Sequence, residues 1–270
     1  MTPHNTETPN TGTPNTGTQH IFITAGGSGI GLAMAKAFLD TGAQVAITDS
    51  NSDMLAAAKA AHPALHIFTA DATSEEQMQT AFDTVMNMWG GLDVMMANAG
   101  IAGPTASIED VKLDDWQRCL AVNLDGSFLA AKLATPVMKA QKSGVITLTS
   151  STAGQWGYPY RSPYAAAKWG IIGLMKTLAM ELGSSGIRVN AICPGSVEGE
   201  RMDGVIVREA AARGITPEEL RQGYADCASL RRFVTAEDVA DMAVFLASPQ
   251  ARSITGMTMS VDGHTEKVTL

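Results

Sequence analysis

The sequence predicts an α/β fold built on one doubly wound parallel sheet of seven strands, with helices on both faces. Seven short apolar runs alternate along the chain with alanine-rich segments of helical spacing. Several of these runs lack polar alternation, which is typical of parallel strands that are covered on both faces. An alternation of strands and helices implies right-handed crossovers between parallel strands. Sheets of this kind bind ligands beyond the carboxyl ends of the strands.

The predicted strands are, in order, IFIT at 21–24, VAIT at 45–48, HIFT at 66–69, VMMA at 94–97, VITLT at 145–149, VNAI at 189–192 and MTMSV at 257–261. Between them, longer segments carry apolar residues at helical spacing. The predicted helices occupy residues 30–40, 52–61, 74–89, 116–140, 163–182 and 236–247.

The first 19 residues differ in composition from the rest of the chain. Repeated Thr-Pro-Asn-Thr-Gly units form a polar tract that buries too little apolar area to offset its ordering entropy. Residues 1–19 are therefore predicted to be a disordered, low-complexity tail. No linker interrupts residues 20–270, so we predict a single domain there.

Composition excludes several classes of partner. The chain has 19 Lys and Arg against 27 Asp and Glu, a formal net charge of −8, and it has no basic run to neutralise a nucleic acid. Three widely spaced cysteines fit neither a disulfide framework nor a metal site. The first Lys or Arg is Lys36, and no apolar stretch reaches the roughly 18 residues of a membrane span. We expect a cytoplasmic protein without a membrane or metal partner.

Residues 24–31, TAGGSGIG, form a glycine-rich loop that leads directly into the first predicted helix. Glycines permit tight turns, and a helix N-terminus offers free N–H groups to a phosphate. The predicted contacts are Ser28, Gly29, Ile30 and Gly31. The loop matches neither G-x-G-x-x-G nor the P-loop, so a plain turn between strand and helix remains the alternative.

Asp49 ends the second strand, 20 residues after Gly29. An acidic side chain at this place accepts hydrogen bonds from the ribose hydroxyls of adenosine and repels a 2′-phosphate. No Lys or Arg lies in the glycine loop or directly after Asp49. The sequence therefore favours NAD over NADP, with helix capping as the alternative role for Asp49.

Residues after the third and fourth strands extend the predicted cofactor site. Asp71 and Ala72 follow the third strand, where they could contact adenine. Asn98 and Gly100 follow the fourth strand. The Asn98 side chain is predicted either to hold sheet backbone or to contact ribose.

Tyr164 and Lys168 are four residues apart, so they share one face of a predicted helix. An ammonium group near a phenol lowers the phenol's pKa, which suits an acid–base catalyst. Ser151 lies at the end of the fifth strand, and Asn123 lies on the preceding helix. These four residues are the candidate catalytic group.

The glycine loop, residues 98–100, Asn123, Ser151, the Tyr164–Lys168 pair and residues 194–195 occur in the order and spacing of the short-chain dehydrogenases/reductases. The chain resembles that family over residues 20–264. The resemblance implies a Rossmann-like fold, a homotetramer, and hydride transfer between NAD(H) or NADP(H) and an alcohol or carbonyl carbon.

The resemblance also implies individual roles. Tyr164 resembles the general acid/base, and Ser151 resembles the group that hydrogen-bonds the substrate oxygen. Lys168 resembles the residue that lowers the tyrosine pKa and binds the nicotinamide ribose. Asn123 resembles the residue that holds a water in a proton relay.

The loop beside the nicotinamide would contain Pro194, Gly195 and Val197, whose backbone would orient the carboxamide. Two positions depart from the family pattern. Ala25 stands where a glycine usually begins the loop, and its methyl group fits if φ is negative. Gly199 stands where the family often has a threonine that bonds the carboxamide. Glu198, Glu200 or Arg201 could supply that contact instead.

Residues 197–230 are expected, from the resemblance, to form a mobile helical lid over the substrate. The expected pocket mouth contains Gln155, Trp156, Tyr158, Tyr160 and Arg161, which would suit a polar ring or a hydroxylated acid. Packing against a neighbouring subunit is the alternative role of these aromatic residues. His264 is predicted to be a surface or interface residue.

The predicted function is hydride transfer between NAD(H) and a small secondary alcohol or ketone, with Tyr164 as general acid/base. One alternative is an NADPH-dependent 3-oxoacyl thioester reductase, which Asp49 disfavours. A non-catalytic NAD-binding regulatory protein is the other alternative, and the complete set of four catalytic residues disfavours it.

Overall fold

The computed structural model describes residues 18–265. The predicted disordered tail therefore lies outside the described residues, except for its last two positions. In the described part of the chain, no helix is long and apolar enough to cross a membrane. The cytoplasmic location stays a prediction.

One parallel sheet of seven strands forms the centre of the molecule, in the order β3-β2-β1-β4-β5-β6-β7. The order reverses between β1 and β4, which creates the switch point of a doubly wound sheet. The predicted fold class is confirmed. The strands are β1 His20–Thr24, β2 Gln44–Asp49, β3 His66–Thr69, β4 Val94–Ala97, β5 Gly144–Thr149, β6 Ile187–Pro194 and β7 Thr258–Val261.

The helices cover both faces of this sheet. In chain order they are α1 Gly29–Asp40, α2 Ser52–Ala61, α3 Glu75–Trp89, α4 Leu113–Leu120, α5 Gly126–Gln141, α6 Ser162–Leu182, α7 Glu200–Arg213, α8 Pro217–Cys227 and α9 Ala236–Ala247. Helices α7 and α8 occupy most of the predicted lid region, residues 197–230. Whether this region moves as a lid stays a prediction.

The predicted single helix at 116–140 is wrong in one respect. A segment of π-helix, Ala121–Asp125, separates α4 from α5, and the whole helical region runs from residue 113 to 141. A π-turn inserts one extra residue into an otherwise regular helix. The predicted helix at 116–140 is regular and therefore does not include this insertion.

Alternate residues of the central strands point into two different cores. Ile21 and Ile23 of β1 pack with α1, α2 and α9, whereas Phe22 packs with α3, α5 and α6. All three side chains are buried. Because both faces are covered, the strands read as continuous apolar runs, which is why the sequence pattern located them.

Candidate active site

A cavity of about 1140 Å³ opens at the carboxyl edge of the sheet. Its lining comes from the segments that follow β1 to β6, together with the start of α7. The structure brings together these predicted site residues in the lining: Ser28, Gly29, Ile30, Gly31, Asp49, Asp71, Ala72, Asn98, Gly100, Ser151, Tyr164, Lys168, Pro194, Gly195 and Val197. Asn123 is fully buried outside that lining.

The N-terminus of α1 meets this cavity with its backbone donors uncapped. Ser28 is the N-cap residue, yet its side chain makes no capping hydrogen bond, and the first turn contains no acidic residue. In contrast, the side chains of Asn51 and Ser74 cap α2 and α3. The N–H groups and the positive dipole end of α1 are therefore suited to an anion such as a diphosphate.

The glycine loop packs closely against α1 and β4. A β-carbon at Gly31 would collide with the carbonyl oxygen of Ala25, so only glycine fits there. That oxygen accepts a hydrogen bond from Asn98 Nδ2 at 3.1 Å. The condition under which the Ala25 methyl group fits without strain, a negative φ, is not met, because its φ is 50°. The contacts to Asn98 and Gly31 hold Ala25 in the left-handed region, which costs an alanine about 1 kcal/mol.

The Ala25→Gly variant should be more stable than the natural protein by about 1 kcal/mol, because glycine adopts a positive φ without the β-carbon penalty. Thermal unfolding would then shift upward by about 2–4 °C for a domain of this size. Ala57→Gly is the matched control, because Ala57 is an exposed residue inside α2. There the same substitution should destabilise the protein. A melting temperature of Ala25→Gly below that of the natural protein would contradict the backbone strain at Ala25.

Asp49 ends β2 on the cavity wall and is held by two backbone donors. Its Oδ2 accepts from Gly27 N at 3.1 Å, and its Oδ1 accepts from Asn51 N at 3.0 Å. The alternative role as cap of the next helix is wrong, because the Asn51 side chain caps α2. Each carboxylate oxygen keeps a free lone pair for a ligand hydroxyl.

The other predicted cofactor residues line the cavity, and one of them, Asn98, also holds the glycine loop in place. Asp71 lines the cavity and accepts hydrogen bonds from both the backbone and the hydroxyl of Thr73. The Asn98 amide donates to the carbonyl oxygens of Thr24 and Ala25. Its side chain therefore braces the glycine loop against β4, which favours the backbone-holding role. Ala72 and Gly100 line the cavity beside them.

Ser151 lies two residues after the end of β5 and is buried at the cavity wall. Its Oγ accepts a hydrogen bond from Ala153 N at 3.2 Å. Because this contact uses Oγ as an acceptor, the hydroxyl proton stays available to donate. The Ser151 side chain also contributes to the lowered pKa of Tyr164.

Tyr164 and Lys168 lie one turn apart on α6, as their spacing predicts. The Lys168 Nζ is 5.5 Å from the centroid of the Tyr164 ring and donates to the Thr149 carbonyl oxygen at 2.9 Å. Burial raises the pKa of Tyr164, but the charges of Lys168, Arg201 and Arg161 lower it by more, and the net pKa is below its ordinary value. Burial also lowers the pKa of Lys168.

Tyr158 also lines the cavity, but its environment shifts its pKa in the direction opposite to that of Tyr164. Burial raises the pKa of Tyr158 to about 12. A phenol with that pKa stays protonated near neutral pH. Of the two tyrosines on the cavity wall, Tyr164 is therefore the one suited to exchange a proton.

Asn123 lies in the π-turn, and its side chain is anchored at one end. Its Nδ2 donates to the carbonyl oxygens of Cys119 at 2.9 Å and Ile101 at 3.1 Å. Its buried Oδ1 has no hydrogen-bond partner in the part of the chain that the structure describes, and a β-carbon on Gly100 would come within 2.7 Å of it. The same hypothetical β-carbon would lie 3.3 Å from Lys168 Nζ. Asn123 Oδ1 and Lys168 Nζ thus flank Gly100, where an unsatisfied acceptor suits a water molecule.

The segment after β6 supplies the remaining predicted loop. Pro194 ends β6, and Gly195 N donates to the Val261 carbonyl oxygen at 2.9 Å. The bridge to Val234 uses the backbone of Ser196 and Glu198, so these bonds leave the Val197 N–H and C=O unengaged. Gly199 has a φ of 127° and precedes α7, which explains glycine at this position better than threonine.

Only part of the expected pocket mouth reaches the cavity. In the described part of the chain, Tyr158 and Arg161 belong to the lining, whereas Gln155, Trp156 and Tyr160 do not. Gln155 Oε1 instead accepts from the Ser260 hydroxyl of β7 at 3.1 Å. Gln155, Trp156 and Tyr160 therefore lie outside the cavity lining, and their place at the pocket mouth stays a prediction.

His264 lies outside the main cavity, where its Nδ1 is 2.7 Å from the Ser229 hydroxyl. Arg201 lines the cavity at the start of α7. Within residues 18–265, no group of three His, Cys, Asp or Glu side chains could hold a metal ion. The wall of the cavity carries phenol, ammonium, hydroxyl and guanidinium groups.

Comparison with known proteins assigns this geometry to a family. A family profile described as enoyl-(acyl carrier protein) reductase matches residues 24–264. A short-chain dehydrogenase/reductase of Armillaria gallica is 39% identical over 249 residues, which are 89% of this chain and 93% of that protein. The chain belongs to the short-chain dehydrogenase/reductase family. The resemblance predicted from the motifs is confirmed.

Other short-chain dehydrogenases/reductases match over nearly the same length. The D-beta-hydroxybutyrate dehydrogenase of Rhizobium meliloti is 35% identical over 254 residues, covering 89% of this chain and 96% of the relative. The crystal structure of an NAD⁺-bound xylitol dehydrogenase superposes with a TM-score of 0.88 at 29% identity, covering 91% of this chain and 98% of the other. The Rossmann-like fold predicted from the sequence is therefore confirmed.

Two features of this short-chain dehydrogenase/reductase escaped the sequence interpretation. The π-turn aims Asn123 at Gly100, and the apolar pattern gave no signal for it. Arg161 is only 6% exposed, whereas the sequence placed it at the pocket mouth without indicating that it is buried. Its place three residues before Tyr164 was the available signal, because that spacing puts both side chains on neighbouring turns.

Proposed function

We propose that the protein is an NAD-dependent dehydrogenase that transfers a hydride between the dinucleotide and a small secondary alcohol or ketone. The observation that carries the proposal is the Tyr164 phenol, with its lowered pKa, beside Lys168 and Ser151 on the wall of the cavity. A group whose pKa lies nearer to the working pH is a better general acid/base. The dehydrogenase relatives support an oxidoreductase that acts on CH–OH groups.

The side chains divide the reaction between them. During alcohol oxidation, the Tyr164 phenolate accepts the hydroxyl proton of the substrate, and during ketone reduction the phenol returns it. Ser151 donates a hydrogen bond to the substrate oxygen and stabilises the charge that develops there. The nicotinamide, when bound, takes or supplies the hydride.

Lys168 and Asn123 support the proton transfer. The Lys168 ammonium favours the phenolate form of Tyr164 electrostatically. The unpaired Oδ1 of Asn123 would accept a hydrogen bond from a water that passes protons on towards solvent. Its two donor hydrogen bonds fix this oxygen in position, so the amide acts as a static support for the relay.

The residues of the carboxyl edge fit a dinucleotide. The uncapped start of α1, with the backbone of Ser28, Gly29, Ile30 and Gly31, would hold the diphosphate. Asp49 would accept from the adenosine ribose, with Asp71 and Ala72 beside the adenine. Lys168 would bind the nicotinamide ribose, and the Val197 backbone would meet the carboxamide next to Pro194 and Gly195.

The preference for NAD rests on the charges around Asp49. The lining contributed by the segments after β1, β2 and β3 contains Asp49 and Asp71, and among the described residues it contains no Lys or Arg. A 2′-phosphate would meet negative charge there, which argues against an NADPH-dependent 3-oxoacyl thioester reductase. The juxtaposed Tyr164, Lys168 and Ser151 argue against a non-catalytic regulatory protein.

Absorbance of reduced nicotinamide, followed with NAD or NADP across a panel of secondary alcohols, tests the proposal. We expect turnover with NAD and a higher kcat/KM for NAD than for NADP. Preference of the natural protein for NADP would contradict the role of Asp49. A complete lack of turnover with the panel in both directions would contradict the catalytic assignment.

The Asp49→Arg variant should shift the kcat/KM ratio of NAD to NADP by about 100-fold towards NADP. The substitution removes acceptors for the ribose hydroxyls and adds a cation for the 2′-phosphate, and hydrogen bonds to charged groups contribute about 1.5–3 kcal/mol each. Asp53→Arg is the matched control, because Asp53 is exposed on α2 and does not line the cavity. An equal shift in both variants would indicate a general charge effect instead of a contact.

We also expect a homotetramer, as the family resemblance implies. Large apolar side chains are exposed on α5 and α6, including Phe128, Trp169 and Met180. An apolar surface of this kind is typical of a buried subunit contact. Light scattering of the purified protein would measure the assembly directly.

A further inference from the structure

Arg161 places a buried positive charge in the wall of the cavity. The residue is only 6% exposed, and its Nη2 donates to the Ala102 carbonyl oxygen at 3.0 Å. No hydrogen-bond partner among the described residues reaches its buried Nε. Within the described residues, no carboxylate lies within ion-pair distance of this guanidinium. Burial of a charge is costly unless it is paired.

The guanidinium lies directly beside the reacting phenol. The Arg161 Cζ is 4.6 Å from the centroid of the Tyr164 ring and 5.9 Å from that of Tyr158. Arg201 lines the same cavity, and its charge also acts on Tyr164. Any substrate whose oxygen contacts Tyr164 therefore lies in a cavity whose wall contains two arginines.

The acidic residues nearby do not neutralise this charge. Glu209 is fully buried, but it is engaged by Arg213 at 2.6 Å and by the Tyr224 hydroxyl at 2.5 Å. Glu198 and Glu200 line the cavity, and neither forms an ion pair with Arg161 or Arg201 in the described part of the chain. Among residues 18–265, no carboxylate is therefore paired with the Arg161 charge beside Tyr164.

We infer that Arg161, assisted by Arg201, binds a carboxylate of the substrate, so that the natural substrate is a small hydroxy acid or the corresponding keto acid. This inference rests on the proposed dehydrogenase function. A planar guanidinium recognises a carboxylate through charge-assisted hydrogen bonds, and Arg161 lines the cavity that would hold the substrate. The contact between Arg161 and the Tyr164 ring limits the distance between the carboxylate and the carbinol carbon, which favours a short molecule.

The substrate series that tests this inference pairs acids with neutral isosteres. The probes are hydroxypentanoates with the hydroxyl on the second, third or fourth carbon, each compared with its primary amide in the presence of saturating NAD. We expect at least one acid to exceed its amide in kcat/KM by roughly 10- to 100-fold, the size of a charge-assisted contact. Equal kcat/KM values for acids and amides, or a preference for amides, would overturn the inference while leaving the dehydrogenase function intact.

The Arg161→Gln variant should reduce the acid-to-amide ratio of kcat/KM towards unity, and Arg161→Lys should retain part of it. The ratio is the readout because Arg161 also acts on the Tyr164 pKa, which changes the turnover of both members of a pair. Arg208→Gln is the matched control, because Arg208 is an exposed residue of α7 outside the cavity lining. An unchanged ratio in Arg161→Gln would refute the contact.

Binding without turnover separates this inference from the proposed function. Calorimetry of pentanoate and pentanamide with the NADH complex of the natural protein and of Arg161→Lys requires no catalysis. Tighter binding of pentanoate, weakened by the substitution, supports the anion site even if the alcohol panel is not turned over. Equal affinity for pentanoate and pentanamide in the natural protein would refute the site, and this comparison does not depend on whether a variant folds.

Discussion

The Tyr164→Phe variant is expected to lose about 10³-fold in kcat for alcohol oxidation while it continues to bind NAD. The substitution removes the phenolic oxygen and keeps the aromatic ring, whose centroid lies 4.6 Å from Arg161 Cζ and 5.5 Å from Lys168 Nζ. The packing of the cavity wall should therefore survive. Steady-state kinetics measure the loss of turnover, and calorimetric titration with NAD measures the retained affinity.

Tyr160→Phe is the matched control for this loss. Tyr160 precedes α6 by two residues and is 38% exposed, and its ring lies 5.6 Å from Arg213 Cζ, outside the cavity lining. Removal of its hydroxyl should leave kcat unchanged. If Tyr164→Phe kept most of its activity, Tyr164 could not be the general acid/base. If both variants lost activity equally, the effect would be structural.

The sheet and the positions of the strand ends could be predicted because burial on both faces leaves a direct trace in the sequence. Runs such as VMMA at 94–97 contain no polar residue, and the structure buries all four of these side chains. Since parallel strands end at one edge, the residues that follow them had to meet there. Asp49 and Ser151 were located by that argument.

The details that tune the site could not be predicted in the same way. The positive φ of Ala25 depends on the Asn98 amide, which comes from a strand 73 positions further along the chain. The burial of Arg161 depends on the segment around Ala102, which accepts from its Nη2. Such contacts join loops distant in sequence, and neither composition nor periodicity records them.

The same limit applies to Asn123. Its residue type and its position on a helix are visible in the sequence, and its role in the site stays a prediction. The orientation of its amide depends on the π-turn and on the close approach of Gly100. One inserted residue rotates the side chains that follow it by one residue step about the helix axis. The regular helix predicted from the sequence does not include that rotation.

The Lys168→Met variant is expected to lose about 10²-fold in kcat for alcohol oxidation near neutral pH and to recover part of this loss at alkaline pH. Oxidation requires the Tyr164 phenolate, so the rate rises with pH through the pKa of that group. In the natural protein, Lys168 is the largest of the charges that lower this pKa against the effect of burial. Removal of the ammonium therefore moves the pKa upward, and the rising limb of the pH–rate profile moves with it.

Lys176→Met separates this effect from a general loss of positive charge on α6. Lys176 lies two turns further along the same helix and is exposed, so its removal should leave both kcat and the pH profile unchanged. Lys168 Nζ also donates to the Thr149 carbonyl oxygen, and loss of that bond alone would lower activity at every pH. A uniform loss across the pH range would therefore assign Lys168 a purely structural role, whereas an alkaline shift of the profile requires its charge to act on Tyr164.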